Sequence, residues 1–368
     1  MSATDDKPTV SSTSDQQAPA DSRQRDEATR GRTDGLEPAA APGAVEGGAV
    51  LSPGTAAGAS QDSPRARSMS LWRMLLRDRV SATAALVLLL IALTAVVGPF
   101  FLGAAANDLN LSRATLSPFS LENGWLYVLG TDPLGRSVLA RLVVAARTTF
   151  AVAVPTVLLS MTIGSLIGMW AGYHRGRRET VAMRVADVIM SFPSLLMAVV
   201  VLYIFSPSIA NIVLVLTVTR IPIYLRTVRA ESAELQSRLF VDAARTFGTR
   251  SSAIIRRHVF PIVLPTLLTV ATLDFCFVML AESSLSFLGI GIQPPDVSWG
   301  LMVAQGRAYL QTAWWLSFFP GLAIVVTAVA STVLASWVRI ATDPAQRWRL
   351  TVPRRARRTS VTAKENQS

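Results

Sequence analysis

Two acidic residues, Asp274 and Glu282, lie inside a long apolar stretch and are the side chains that most require a chemical explanation. They are eight positions apart, a rotation of about 80° on a helix, so both carboxylates would lie on similar sides. A carboxylate at the centre of a bilayer costs about 2.5–3.5 kcal/mol on insertion scales. We therefore expect each to face a pathway, where it would meet a cation, or to form hydrogen bonds between helices.

The rest of the sequence lacks the residue patterns of a catalytic centre. The patterns HExxH, GxSxG and GxxxxGK[ST], which mark zinc hydrolases, nucleophile elbows and phosphate loops, are absent from all 368 residues. The histidines, His174 and His258, fall in predicted loops, and the single cysteine, Cys276, excludes an intramolecular disulfide. We expect no enzymatic activity and no bound metal or cofactor, so a partner must hydrolyse any ATP that drives this chain.

The composition indicates that membrane-spanning helices position these residues. Hydrophobic residues make up 51% of the chain and charged residues 16%, whereas an average soluble domain has about 25% charged residues. Six apolar segments are long enough to cross about 30 Å of hydrocarbon as helices of about 20 residues. They lie at 84–102, 147–174, 187–205, 209–225, 262–290 and 307–339, and Pro193 falls inside the third. The sequence therefore predicts an all-α integral membrane protein with six transmembrane helices.

Basic residues predict the orientation of these helices. An even number of spans places both termini on one side of the membrane. The segments 65–79, 173–184, 226–261 and 339–368 carry 24 basic residues, whereas 104–142, 206–208 and 289–313 on the other side carry 4. Because positively charged loops stay in the cytoplasm, we expect both termini to be cytoplasmic. The basic residues are spread among loops, which is not the pattern of a nucleic-acid-binding face.

The chain divides into four regions by composition. Residues 1–68 are poor in large apolar side chains and are expected to be a disordered cytoplasmic tail. The first transmembrane helix and an external loop follow at 69–142, and five further transmembrane helices form a core at 143–345. A basic cytoplasmic tail is expected at 346–368.

Small and charged residues within the spans support two further predictions, one for helix packing and one for a side-chain direction. Gly164, Gly168 and Gly172 recur at four-residue steps and predict a flat helix face that permits close packing. Arg220, in the fourth span, is expected to extend its long side chain toward the cytoplasm.

The long cytoplasmic loop between the fourth and fifth spans has the features of a docking element. We expect two short helices separated at Gly248, a residue that can adopt a left-handed turn. Asp242, Ala243 and Ala244 present a small surface with one charge, and Pro261 marks the start of the fifth span. A compact helix across the membrane face suits a groove on another protein.

Three stretches resemble the permeases of ABC importers. The run Asp242-Ala243-Ala244-x3-Gly248…Pro261 is similar to the EAA loop of that family, with Asp242 where Glu is usual. The first outer motif (residues 129–141) and the second outer motif (residues 281–300) resemble the dipeptide/oligopeptide/nickel branch. Ser137 stands where that branch usually has Asp. Over roughly residues 70–345 the chain resembles the C-type permease subunit with an additional N-terminal span.

The resemblance implies a type I importer transmembrane domain that forms half of a pathway for di- or oligopeptides. The loop 229–261 would couple this pathway to ATP hydrolysis, with Asp242, Ala243, Ala244, Gly248 and Pro261 at the contact. The implied partners are a second homologous permease, two ATP-binding subunits, an extracytoplasmic substrate-binding protein and the lipid bilayer of the inner membrane. ATP and Mg²⁺ would bind to the partner subunits.

Other interpretations of the sequence remain open. The same assembly would serve nickel chelates, glutathione or another small solute. A membrane enzyme is disfavoured because catalytic residues are missing, and a free channel would have no use for a docking loop. Asp274 and Glu282 either face the pathway, where a peptide amino terminus or a cation would meet them, or join helices by hydrogen bonds.

Overall fold

The computed structural model of the chain describes residues 71–120, 124–174 and 176–342. In these residues regular structure is helical, apart from one isolated bridge between Thr131 and Ser137. The expected disordered tail at 1–68 and the basic tail at 346–368 lie outside the described residues. The expected division between 142 and 143 falls inside a helix.

Eleven α-helices occur in the described part of the chain. In order they are α1 (Leu71–Arg77), α2 (Arg79–Asn107), α3 (Val138–Tyr173), α4 (Arg177–Ser191), α5 (Ser194–Ile204), α6 (Ile209–Gln236), α7 (Leu239–Thr246), α8 (Ser251–Ile254), α9 (Phe260–Phe287), α10 (Trp299–Gly306) and α11 (Trp315–Thr342). A π-helical turn at Ile255–Val259 makes α8 continuous with α9.

Five of these helical segments are long and apolar enough to cross a membrane: α2, α3, α6, the α8–α9 segment and α11. The pair α4 and α5 supplies a sixth span when it is counted as one broken segment. The predicted all-α membrane fold is therefore confirmed, with six spans on that count. The second span begins at Val138 and the fourth continues to Gln236, so both extend beyond the segments predicted from the sequence.

The third predicted span is not a straight helix, which corrects the prediction for 187–205. The axes of α4 and α5 differ by 83° at a break that contains Phe192 and Pro193. Proline disfavours helical geometry in the residue before it, and Phe192 is extended at φ −93° and ψ 136°. The α5 helix has 11 residues and is about 17 Å long, so it cannot cross the hydrocarbon alone.

The central helix α3 packs closely against α6 along its glycines. A methyl group added at Gly168 would lie 2.7 Å from the carbonyl oxygen of Leu225, and one at Gly172 would lie 2.6 Å from that of Arg229. The two backbones approach as closely as the predicted flat face allows. The prediction from the glycine spacing is therefore confirmed, and α3 and α6 form a rigid pair at the centre of the bundle.

Candidate functional site

The element formed by α7 and α8 has the geometry that the sequence predicts, and we call it the cytoplasmic element after its predicted location. The α7 helix ends at Thr246, and Gly248 follows in the left-handed region at φ 74°. The N–H groups of Phe247 and Gly248 donate to the carbonyls of Ala243 and Arg245 at 3.1 and 2.8 Å. Two short helices with a glycine turn between them are therefore confirmed.

One face of this element is anchored to the C-terminal end of α3. Val241 and Ile254 are buried and pack around Tyr173, the last residue of α3. The guanidinium of Arg245 lies 5.0 Å from the centre of the Tyr173 ring, and its Nε donates to the Tyr173 hydroxyl at 3.2 Å. Gln236, at the end of α6, donates to the Tyr173 carbonyl at 2.8 Å. Tyr173 therefore joins α7 to α3 through its ring and hydroxyl, and α3 to α6 through its carbonyl.

The opposite face of the element exposes large apolar side chains. Leu239 is 86% exposed and Phe247 is 88% exposed. Two large apolar side chains exposed on one side of an otherwise polar element make it a candidate interaction surface. The sequence analysis missed both residues, although the run 239–241 is apolar at three successive positions and one helix face can bury only part of it.

Four of the five predicted contact residues are exposed, and the fifth, Ala244, packs against the buried Tyr173 cluster. Asp242, Ala243, Gly248 and Pro261 are exposed, and Ala244 is partly buried. The Asp242 carboxylate lies 3.7 Å from Arg245, within the same helix. The structure thus brings four of the five residues together in and just after α7, whereas Pro261 lies in the first turn of α9.

Two arginines of α6 form ion pairs with acidic residues of this chain. Arg226 pairs with Asp187, and Arg229 pairs with Glu179, so both ion pairs join α6 to α4. These contacts fix α4 against the cytoplasmic half of α6.

The first outer motif is a folded loop organised by Asp132. Its Oδ1 accepts hydrogen bonds from the backbone N–H groups of Leu134 and Arg136, each at 2.9 Å. Its Oδ2 accepts from Arg136 Nε at 2.7 Å and from Arg141 Nη1 at 2.6 Å. Arg141 Nη2 also donates to Gln305 at 2.9 Å, so the loop joins α3 to α10.

Ser137 performs the capping role for which an acidic residue is also suited. Its hydroxyl accepts a hydrogen bond from the Ala140 N–H at 3.2 Å at the start of α3, and it donates to the Leu126 carbonyl. Serine and aspartate are both strong N-cap residues. The departure from the usual motif at this position therefore preserves the local structure.

The second outer motif buries Glu282 within the chain. The side chain is fully buried, and Ser286 and Ser283 donate to its carboxylate at 2.8 and 3.4 Å. The Ser286 hydroxyl in turn accepts from the Ile292 N–H at 3.0 Å. Both serines belong to α9, so these hydrogen bonds hold the carboxylate within its own helix and the loop that follows it, and full burial disfavours a pathway-facing role.

Asp274 forms an ion pair in the middle of the bundle. Its carboxylate binds the guanidinium of Arg220 from α6, and the Tyr224 hydroxyl donates to it at 3.0 Å. Asp274 is 1% exposed and Arg220 is 23% exposed. The guanidinium of Arg220 is held by a buried carboxylate across the helix interface, a partner that the expected extension toward the cytoplasm did not include.

Known proteins are similar in sequence to this chain over these spans and loops. Residues 164–348 match the family described as binding-protein-dependent transport system inner membrane component. A protein of Brucella abortus assigned as a peptide transport system permease is 37% identical over 272 residues, 74% of this chain and 90% of that protein. The dipeptide transport system permease of Bacillus subtilis is 34% identical over 74% of this chain and 84% of its own length. The glutathione transport system permease of Pectobacterium atrosepticum is 33% identical over 74% of this chain and 89% of its own length.

Proposed function

Because the chain belongs to the family of binding-protein-dependent transport system inner membrane components, we propose that it forms half of the transmembrane pathway of an ABC importer for peptides. It is a multi-span permease of the inner membrane that works with ATP-binding and substrate-binding components. Peptide is the proposed substrate class because relatives that match over most of their length are peptide and dipeptide permeases. A glutathione permease also matches, and glutathione is itself a short peptide with free carboxylates.

The observation that carries the proposal is the two-faced cytoplasmic element. One face is buried against Tyr173 and the other exposes Leu239 and Phe247. The exposed face would dock into a groove of an ATP-binding subunit, with Asp242 and Ala243 at the close contact. Gly248 would set the direction of the chain after the docked helix, and Pro261 would begin the span that follows.

The proposed mechanism is a shift between two states of the importer. ATP binding would bring the two ATP-binding subunits together and displace α7, which Arg245 holds against Tyr173 at the end of α3. Gln236, at the end of α6, binds the Tyr173 carbonyl and links α6 to α3. Those two helices pack backbone to backbone and would move as one body. Such a shift requires that ATP bind one state more tightly than the other.

The composition of the complex and its orientation are part of the proposal. A second homologous permease would complete the pathway, two ATP-binding subunits would dock inside, and a substrate-binding protein would dock outside. Both termini would be cytoplasmic, as the distribution of basic residues predicts. ATP and Mg²⁺ would bind to the partner subunits, because this sequence has no phosphate-loop pattern.

The decisive experiment is co-purification of the ATP-binding subunits with the tagged permease pair. We expect Phe247→Ser to reduce recovery of the ATP-binding subunits at least fivefold, because the exposed ring would be the anchor of the contact. The yield of the permease pair should not change, since Phe247 contributes little to the fold.

Phe119→Ser is the matched control. Phe119 is also exposed, at 71%, but it lies in the outer loop between α2 and α3. This variant should retain the ATP-binding subunits in full. Equal recovery with both variants would contradict the assignment of α7 as the docking helix.

A further inference from the structure

A cavity lies between α5, α6 and α9, on the side of α6 that carries Arg220. Its volume is about 220 Å³, and its polar lining consists of Ser194, Thr219, Arg220 and Ser284. The remaining walls are apolar side chains from the same three helices. Typical ligand pockets measure about 300–1,000 Å³, so this cavity can hold one end of a small solute.

Arg220 lies near the middle of the predicted bilayer, at the deep end of the cavity, whereas Ser284 lies three residues from the end of α9. Arg220 is 11 residues from Ile209, and Asp274 is 13 residues from Phe287, at helix ends on the same side of the bundle. At 1.5 Å per residue these separations are about 17 and 20 Å, against about 30 Å of hydrocarbon. A charged side chain at this depth faces a protein interior or a water-filled cavity, and such residues mark solute pathways.

The guanidinium of Arg220 uses only part of its donor capacity within the chain. Its Nε and Nη2 bind Asp274, and its Nη1 has no partner among the described residues. The ring of Phe277, 5.4 Å from the guanidinium carbon, covers one face of the group. The planar guanidinium is therefore fixed in place, with donors left for a second carboxylate.

The hydroxyl groups of the cavity divide into donors and acceptors. Thr219 and Ser284 donate to the carbonyls of Leu216 and Leu280 at 2.8 Å, so only their lone pairs face a ligand. The Ser194 hydroxyl has no partner within the described part of the chain and can donate. The cavity thus offers Arg220 and Ser194 to an anionic group, and Thr219 and Ser284 to N–H groups beside it.

We propose that Arg220 binds the carboxylate of the peptide during translocation. The proposal rests on the proposed function and deepens it, because it restricts the transported solutes to those with a free carboxylate. Asp274 positions the guanidinium and balances its charge when the site is empty. Its charge also weakens the binding of a second carboxylate, which suits a site that a solute must enter and leave.

Photo-crosslinking of a dipeptide to the complete importer tests the proposal. The probe is a dipeptide with a benzophenone side chain, made with a free carboxylate or with a carboxamide, and added in excess directly to the purified complex. We expect the acid to label this chain within 194–220 or 273–284 at least fivefold more strongly than the amide. Equal labelling by the two probes, or labelling elsewhere only, would overturn the proposal.

The double variant Arg220→Gln/Asp274→Asn keeps the pair uncharged and hydrogen-bonded, so the bundle is not left with one buried charge. In this variant the acid should label as weakly as the amide. The control Arg226→Gln/Asp187→Asn removes another ion pair of α6, its pair with α4 away from the cavity, and should retain the acid preference. Strong, acid-selective labelling of the Arg220 variant would refute the assignment.

Transport by the same complexes separates this proposal from the proposed function. In proteoliposomes the Arg220→Gln/Asp274→Asn importer should move at least fivefold less dipeptide for each ATP hydrolysed, whereas the control pair should match the wild type. A wild-type complex that imports no peptide would reject the proposed function itself. If the wild-type complex imports peptide and the Arg220 variant moves as much dipeptide for each ATP hydrolysed, the Arg220 site alone is rejected.

Discussion

The motif residues differ in burial between the two ends of the bundle, which are predicted to be the outer and the cytoplasmic end. At the outer end, Asp132 and Glu282 are buried and their oxygens accept several hydrogen bonds from the chain itself. At the cytoplasmic end, Asp242 and Phe247 are exposed, and the apolar Phe247 ring is accessible over most of its surface. The outer motifs thus complete their contacts within this chain, whereas the cytoplasmic element leaves a surface for a partner.

This difference shows that resemblance in a motif does not by itself indicate the role of a residue. The first and second outer motifs resemble the peptide/nickel branch, yet their polar residues bind within this chain: Arg141 joins α3 to α10, and Glu282 is held by serines of α9. The cytoplasmic element is the weaker match in sequence and the stronger candidate for a functional contact. Substitutions at the outer end should therefore reduce stability, and those at the cytoplasmic end should reduce coupling.

The largest expected effect is at the outer end, for Asp132→Ala. The substitution leaves the buried guanidinium of Arg141 without its carboxylate and removes the acceptor of two backbone N–H groups. Breaking a buried pair in this way costs about 3–5 kcal/mol. We expect a lower thermal unfolding midpoint for the purified complex, and a smaller loss for Asp132→Asn, which keeps one acceptor oxygen. An unchanged midpoint in Asp132→Ala would show that the outer motif does not stabilise the bundle.

An intermediate effect is expected between the two ends, for Gly168→Ala in α3. The new methyl group would lie 2.7 Å from the Leu225 carbonyl oxygen, so α6 must move away. Overpacking of this kind costs about 1–3 kcal/mol. The matched control is Gly103→Ala in α2, where no atom lies within 4 Å and the change should be neutral or stabilising by up to about 1 kcal/mol. Similar unfolding midpoints for the two variants would contradict the close α3–α6 packing.

Local sequence signals predicted some of these features and missed others for physical reasons. The spacing of Gly168 and its neighbours predicted the packing face, because one helix alone determines which residues share a face. Pro193 was visible in the third apolar run, but a proline can bend a helix or end it, and only the packing of α4 on α6 decides which.

The sequence analysis could not predict contacts between helices that are distant in sequence. The pairing of Arg220 with Asp274 joins residues 54 positions apart, and nothing in either local pattern specifies the partner. The exposure of Phe247 also depends on tertiary structure, because the anchoring of α7 by Tyr173 decides which face remains free. The sequence therefore predicted the loop as a docking element and missed the residues that form its exposed apolar surface.

The smallest effect on stability is expected at the cytoplasmic end, for Gly248→Ala. The backbone there has φ 74°, and no atom lies within 4 Å of the new methyl group, so the cost is conformational and about 1 kcal/mol. We expect an unfolding midpoint close to that of the wild type but at least twofold weaker recovery of the ATP-binding subunits, because α8 leaves α7 in an altered direction. Gly248→Asn should be milder, since asparagine adopts the left-handed region more readily than alanine. If Gly248→Ala lowers the midpoint as far as Asp132→Ala while recovery of the ATP-binding subunits is unchanged, the two ends do not differ as described.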